Sequence, residues 1–473
     1  MENHALWVQS NGREGKRAHL ENEGITFHGW GMLSLPFAIL KDCRIAVSNP
    51  GCNFQGSDCT GSYFEGGLEK ANFSSAFLDN CEFKPGTSVV GANFEEASLK
   101  EVKLIGVNCA DAQFKRAKLK GAKLYQCNFH RANLSLADLR NVTIQSPTLE
   151  SLPEPQPGAK LSTPHGFMDR PVDETPTRKG FLGGGGWCPD DWDTLPSSYA
   201  QYQDELSRRH PDGYQFEISV SFYEADLRGS DLTDSILPWA GFSKASLQGT
   251  CLQSVQLYNA DFFYARLDGA DLRGANLALA TFYNAQCHYS DFRTAVLGNE
   301  DNIGETGFQG ASLQNADFRG ARFNLRYDTA KWAINSKTDM TGVNLEGNDL
   351  RCAYWPEVKL SRADLKRADL SYGRLTEAKL DEANLSGCRL RETNLAGADL
   401  SKTNASEADF TGAVLDAATF AGANLARAIF DGATTLNQTD FRNTDLRQVP
   451  TLTREKLENA ITDETTLVWW NSE

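Results

Sequence analysis

Long apolar runs are missing from this chain. None approaches the roughly 18 residues that a membrane helix needs, which excludes a spanning helix. The opening stretch MENHALWVQSNGREGKRAHL is polar and carries no apolar signal core, so a cytoplasmic location is expected, with non-Sec export left open. The 11 cysteines include no CxxC pair, and the 7 histidines no HxxxH or HExxH, so metal ligation finds no support. Positive charge is in short supply as well. With 62 acidic against 47 basic residues the formal net charge is −15, which argues against a broad nucleic-acid or anionic-membrane surface.

Catalytic signatures are equally scarce. No serine elbow, Cys/His nucleophile pattern or carboxylate pair stands apart from the background. The run Gly183–Gly186 is followed by Trp187, Cys188 and Pro189, without the Lys and Ser/Thr of a phosphate loop, and it reads as a flexible linker. The expectation is a non-enzymatic protein with no cofactor.

What is present is a rhythm. Residues 267–282, LDGADLRGANLALATF, place Leu267, Leu272, Leu277 and Phe282 five apart, each preceded two places earlier by a small residue (Ala270, Ala275, Ala280). A helix would rotate successive members of such a set by about 140°, and a straight strand would send them to opposite faces. The beat runs unbroken from Phe222 to Leu297. Residues two apart on extended chain share a face, so the chain must turn between one pair and the next. Four such turns make a square coil of about twenty residues. Phe222, Phe242, Phe262 and Phe282 lie twenty apart, as do Leu237, Leu257, Leu277 and Leu297, and these sets are expected to stack as structural ladders.

The stretches ADLRG (270–274), ANLAL (275–279), ADLKR (363–367) and ADLSY (368–372) resemble the pentapeptide-repeat family, whose motif is A(D/N)LXX. The resemblance implies an all-β fold, a right-handed quadrilateral β-helix, and covers roughly 50–144 and 220–446. Five domains are expected: an N-terminal cap (1–50), array 1 (51–146), a Pro/Gly-rich linker or insertion (147–214), array 2 (215–447) with loops at 298–307 and 324–339, and a C-terminal cap (448–473). A short helix is expected within the insertion at 197–209 and another from Thr453 in the C-terminal cap.

For most cysteines the pattern predicts burial. Cys52, Cys81, Cys127 and Cys388 fall at the small position and Cys59, Cys109 and Cys287 at the central one, whereas Cys251 and Cys352 should face outward.

Some pentapeptide-repeat proteins protect gyrase and topoisomerase IV through an acidic rod that resembles DNA, so the resemblance offers type II topoisomerase as a partner. Fourteen aspartates (Asp226, Asp271 and Asp317 among them) precede the central residue, however, and Asn276, Asn384, Asn394 and Asn424 fill the same slot. Asp and Asn both bond to nearby backbone at turns, so these acids belong first to the fold. Residues 94–144 are locally basic, with Lys100, Lys103, Lys115, Arg116, Lys118, Lys120, Lys123, Arg131 and Arg140 against five acids. The leading expectation is therefore an interaction scaffold or adaptor with an unidentified protein partner. The alternatives are a topoisomerase-binding DNA mimic and a secreted bacterial effector. Candidate partner-binding residues are Trp187, Asp190, Asp191, Trp192, Tyr199 and Tyr202 in the insertion, with Tyr327 and Trp332 in a loop of array 2. A homodimer through the C-terminal cap is a further expectation.

Overall fold

The computed structural model describes residues 2–27, 33–144, 220–298, 306–323, 334, 338–449 and 451–469. The chain winds as a β-solenoid with four short sides per coil. We call these sides A to D, after the central residues Phe222, Leu227, Leu232 and Leu237. At each corner the central residue begins a tight turn. The Ala225 N–H donates to the Phe222 carbonyl at 3.0 Å, and Glu224, the third turn residue, has φ 55°. A positive φ at that place is the mark of a type II turn, where glycine is favoured. Gly229, Gly249, Gly269 and Gly274 occupy it at φ 62–66°, but Asp234, Lys244 and Tyr264 adopt the same left-handed conformation.

Between turns the chain forms parallel pairs with the coils on either side. Side D begins as a seven-stranded parallel sheet: β2 (Gly24–Phe27), β4 (Arg44–Val47), β5 (Tyr63–Gly66), β6 (Glu82–Phe83), β7 (Lys103–Ile105), β8 (Lys123–Tyr125) and β10 (Thr143–Ile144). On side C, β1 (His19–Glu21) pairs with β3 (Ile39–Lys41). Side B is a ladder of single bridges that runs without a gap from Ser34 to Ile461.

The coil therefore starts earlier than residue 51. Ser34 bridges Asn53 and β4 pairs with β5, so residues assigned to a cap are already in register. Leu35, Leu40 and Ile45 already keep the five-residue step there, all buried, with Ala38 and Cys43 at the small position. Ahead of the first coil stands helix α1 (Glu2–Gln9), whose buried His4 accepts the Ala18 N–H at Nδ1, 3.1 Å. At the other end the expected helix from Thr453 is absent. Residues 454–459 form turns with one i→i−4 bond, Leu457 N–H to the Thr453 carbonyl at 3.2 Å. The preceding coil engages this segment instead, the Asn459 carbonyl accepting the Gln438 N–H at 2.8 Å and Lys456 Nζ donating to the Asp431 carbonyl.

The two repeat stretches form one continuous ladder. β9 (Cys127–Asn128) pairs in parallel with β11 (Val220–Ser221), and Asn133 bridges Asp226. Phe129 stacks on Phe222 at 5.1 Å between ring centroids, and the stack continues through Phe242, Phe262, Phe282 and Phe308 at 4.6–5.0 Å. Leu237, Leu257, Leu277 and Leu297 are likewise buried, one above another. Threonine and serine at the small position close their own hydrogen bonds inside the core. Thr250 Oγ1 donates to the Leu227 carbonyl of the coil before it at 2.8 Å, which removes the cost of burying a hydroxyl.

Truncating one rung tests this core. Phe262→Ala leaves a cavity between two stacked rings and is expected to cost about 3–5 kcal/mol. Tyr289→Ala, at a position 70% exposed, should stay within about 0.5 kcal/mol of the parent. Denaturant midpoints followed by circular dichroism will separate the two.

Candidate functional site

All eight candidate partner-binding residues, Trp187, Asp190, Asp191, Trp192, Tyr199, Tyr202, Tyr327 and Trp332, lie outside the described residues, as does the helix expected at 197–209. The described residues show where the chain leaves the coil and where it returns.

From Phe54 to Leu446 the step between central residues is five, except at one corner. Phe64 to Leu68 is a step of four, and Phe83 to Val89 one of six. The chain leaves side D at Ile144 and returns to side A at Val220. It leaves side D again at Leu297 and resumes at Phe308. The break after Phe323 on side D ends before Met340 on side B, spanning the same corner, and Phe430 to Leu436 is a further step of six. Each irregularity in this stretch therefore includes the passage from side D to side A, and the break between Phe323 and Met340 takes in side A as well. Side B keeps its bridge ladder through every break, and side C through each one before the step from Phe430 to Leu436.

Those ladders are rich in charge that cancels locally. The residue before the centre and the residue after it point the same way on extended chain, so an Asp and an Arg in these places meet. Arg140 Nη2 reaches Asp138 Oδ2 at 2.7 Å, while Nε reaches Oδ1 at 2.8 Å. The same two-pronged pair recurs at Asp226–Arg228, Asp271–Arg273, Asp291–Arg293, Asp317–Arg319, Asp349–Arg351, Asp440–Arg442 and Asp445–Arg447. Each aspartate also accepts the backbone N–H two residues on, as Asp226 Oδ1 does from Arg228 at 3.1 Å. Asn276 and Asn384 make that bond without the charge. The guanidinium of Arg140 holds the Asp138 carboxyl below the usual carboxylate range, and Arg351, Arg442 and Arg447 do the same for Asp349, Asp440 and Asp445. Sequence reading recognised the turn bond but missed the arginine clamp, although the recurring D-L-R and D-F-R triplets carry the signal.

The comparisons with known proteins agree with this geometry. The family model for pentapeptide repeats matches residues 108–145, 221–257, 260–299, 338–376, 374–412 and 408–448. The chain belongs to the pentapeptide-repeat family. Among solved pentapeptide-repeat structures, HetL from the cyanobacterium Nostoc sp. strain PCC 7120, a protein involved in heterocyst differentiation regulation, is 18% identical. That match covers 66% of this chain and 91% of HetL, with a TM-score of 0.28. A protein of the Arabidopsis thaliana thylakoid lumen is 28% identical over 21% of this chain and 68% of its own, with a TM-score of 0.17. Full-length QnrB1, a plasmid-mediated fluoroquinolone resistance protein, is 21% identical over 43% of this chain and 85% of its own, with a TM-score of 0.15. No curated protein sequence matches.

Burial settles the state of most cysteines in this pentapeptide-repeat solenoid. Cys52, Cys81, Cys109, Cys287 and Cys388 are 0% exposed, and burial pushes the Cys59 and Cys127 thiols up to about 12. Cys251 and Cys352 are half-buried. Among the described residues no three of His, Cys, Asp and Glu are placed to hold a metal, and no helix is long and apolar enough to cross a membrane. At the C-terminal end Ile461, Leu467 and Trp469 are exposed.

Two predictions follow from these environments. Alkylation with iodoacetamide at pH 8, mapped by mass spectrometry, should label Cys251 and Cys352 in the native protein. Cys59 and Cys127 should react only after denaturation. The second concerns acid. A carboxyl whose folded pKa is depressed contributes stability above its unfolded pKa of about 3.9, and that contribution is lost as pH falls through the folded value. The melting midpoint should therefore be level from pH 7 to about 5 and fall below about pH 4.

Proposed function

We propose that this chain is a non-enzymatic interaction scaffold whose partner docks along the edge between sides D and A. The observation that supports this reading is that all departures from the five-residue step between Phe54 and Leu446 share that corner. In repeat proteins, insertions collect on one face, often the binding face, because the other sides must keep their ladders intact to hold the coils together. Pentapeptide-repeat proteins are generally non-enzymatic structural or interaction scaffolds, which supports this reading.

A DNA-mimicking topoisomerase ligand fits less well. Such a surface needs unpaired negative charge at regular intervals, and here eight ladder aspartates are clamped by arginines two residues away. Net charge alone does not make a polyanion of this rod.

Deleting residues 148–212 provides the test. In neighbouring coils the same corner is crossed in a single five-residue step, Leu237 to Phe242, so ten retained linker residues suffice to rejoin Ile144 to Val220. The deletion should keep the β-sheet circular dichroism spectrum and a cooperative melt. Affinity capture from the native lysate with the intact chain should yield a dominant protein that the deleted chain does not retain. Equal recovery by both chains would remove the insertion from the docking edge. Near-stoichiometric type II topoisomerase on both would favour the DNA-mimic reading instead.

A further inference from the structure

The arginine clamp is absent from a run of lysine-bearing coils in the first repeat stretch. On side C the residue after the centre is Lys100, Lys120 and Arg140 in successive coils, and the residue before it is Ser98, Lys118 and Asp138, bridged in that order. Arg140 therefore has its aspartate, but Lys100 faces a serine and Lys120 another lysine. Around the next corner Lys103 pairs in register with Lys123 on side D, and Lys115 lies after the centre of side B. Among the described residues none of Lys100, Lys115, Lys118, Lys120 and Lys123 has a carboxylate within 4.0 Å. Lys103 shares Glu82 with Lys84, at 3.6 and 2.7 Å. Lys100, Lys103, Lys118 and Lys120 are exposed, and Lys115 and Lys123 are half-buried.

We infer that this lysine patch, on sides B to D of the coils between Phe94 and Ile144, is a docking surface for an acidic polypeptide segment. The occupant is argued from charge and size. Coils are spaced by about 4.8 Å, so the unpaired lysines span only about 10–15 Å along the axis. A duplex crossing so small an area would continue over the acidic remainder of a chain with net charge −15. Single-stranded nucleic acid binds by stacking successive bases on aromatic rings. Among the described residues the rings beside these lysines, the exposed Phe77 on side C and the half-buried Tyr125 on side D, stand on different sides of the coil and form no continuous platform. A second copy of this chain would have to bring an acidic region over the patch, and eight of its ladder aspartates are already held by arginines two residues away. A short run of glutamate or aspartate matches the charge and extent of the surface without those penalties. Lys123 pairs in register with Thr143, beside the point where the chain leaves side D, but the lysines belong to the coils and not to the insertion, so this inference does not depend on the proposal above.

The test uses the full chain, a fluorescein-labelled glutamate-rich peptide of about twelve residues, and a labelled single-stranded oligonucleotide of about the same charge, read by fluorescence anisotropy. The parent should bind the peptide at about 50 mM salt and weaken as salt rises. The triple variant K118Q/K120Q/K123Q should bind the peptide about tenfold or more weakly. A control, K244Q/K366Q/K402Q, removes the same charge from three lysines that do have acidic neighbours and should stay within about twofold of the parent. Circular dichroism should be unchanged in both variants, because these side chains lie outside the core. The inference is overturned if the peptide does not bind at low salt or if both variants lose affinity equally. It is likewise overturned if the oligonucleotide binds more tightly than the peptide.

Discussion

Everything in this structure depends on the parallel hydrogen bonds between one coil and the next. The Phe222 N–H donates to the Gly241 carbonyl at 2.7 Å, and the Gly241 N–H returns to the Val220 carbonyl at 3.0 Å. That exchange recurs on each side, and it is how a chain with almost no conventional strand satisfies its backbone polar groups. Because the paired segment is so short, the chain must turn at once. It does so by placing the third turn residue at φ near 60°, even where that residue is Glu, Lys or Tyr. A non-glycine side chain at such a φ is uncommon, and accepting it at corner after corner is a local cost. The ladder offsets that cost collectively, through backbone bonds and through like side chains stacked at about the coil spacing.

The same constraint decides where extra chain can go. An insertion must deliver the chain back to the register it left, or every coil beyond it loses its partner. Collecting insertions at the D-to-A corner leaves the side B ladder continuous from Ser34 to Ile461. The ring stack from Phe129 to Phe222 shows the outcome. Two residues far apart in sequence pack as closely as Phe242 and Phe262, which are separated by a single coil.

Most of the fold was legible because its determinants are local and periodic. The twenty-residue interval between phenylalanines is visible without any structure, and the small and central columns account for the buried cysteines. The common corner was also written in the sequence, in a less obvious form. Phe222 to Leu297 contains sixteen central residues and Phe308 to Phe323 contains four, so the breaks separate whole coils. Counting repeats in fours would have found it. The early start of the coil was legible too, because Leu35, Leu40 and Ile45 keep the five-residue step with Ala38 and Cys43 at the small position. Other features were not accessible by rhythm. Thr453 to Ala460 has the composition of a helix, but the preceding coil claims its backbone, with the Gln438 N–H donating to the Asn459 carbonyl. The aromatic residues chosen as partner-binding candidates fall in segments that carry no repeat, where periodicity has nothing to say.

Charge is where composition misleads most. A net charge of −15 invites the picture of a negative rod, yet the position that supplies many of those acids is a structural one. Aspartate there caps the turn through a backbone N–H, and asparagine can replace it with no change in geometry. Arginine two residues later then finds its carboxylate preformed and oriented, so the strand becomes neutral at the scale of one residue pair. The surface potential is consequently set by the exceptions. Where Ser98 and Lys118 take the place of aspartate, the cations that follow have no carboxylate within 4.0 Å among the described residues, and an acidic protein acquires a locally basic stretch. On such a scaffold a single substitution before the central residue changes the turn bond very little but leaves or removes an unpaired charge on a flat side. Recognition surfaces can therefore diverge along the rod while the coil that carries them stays the same.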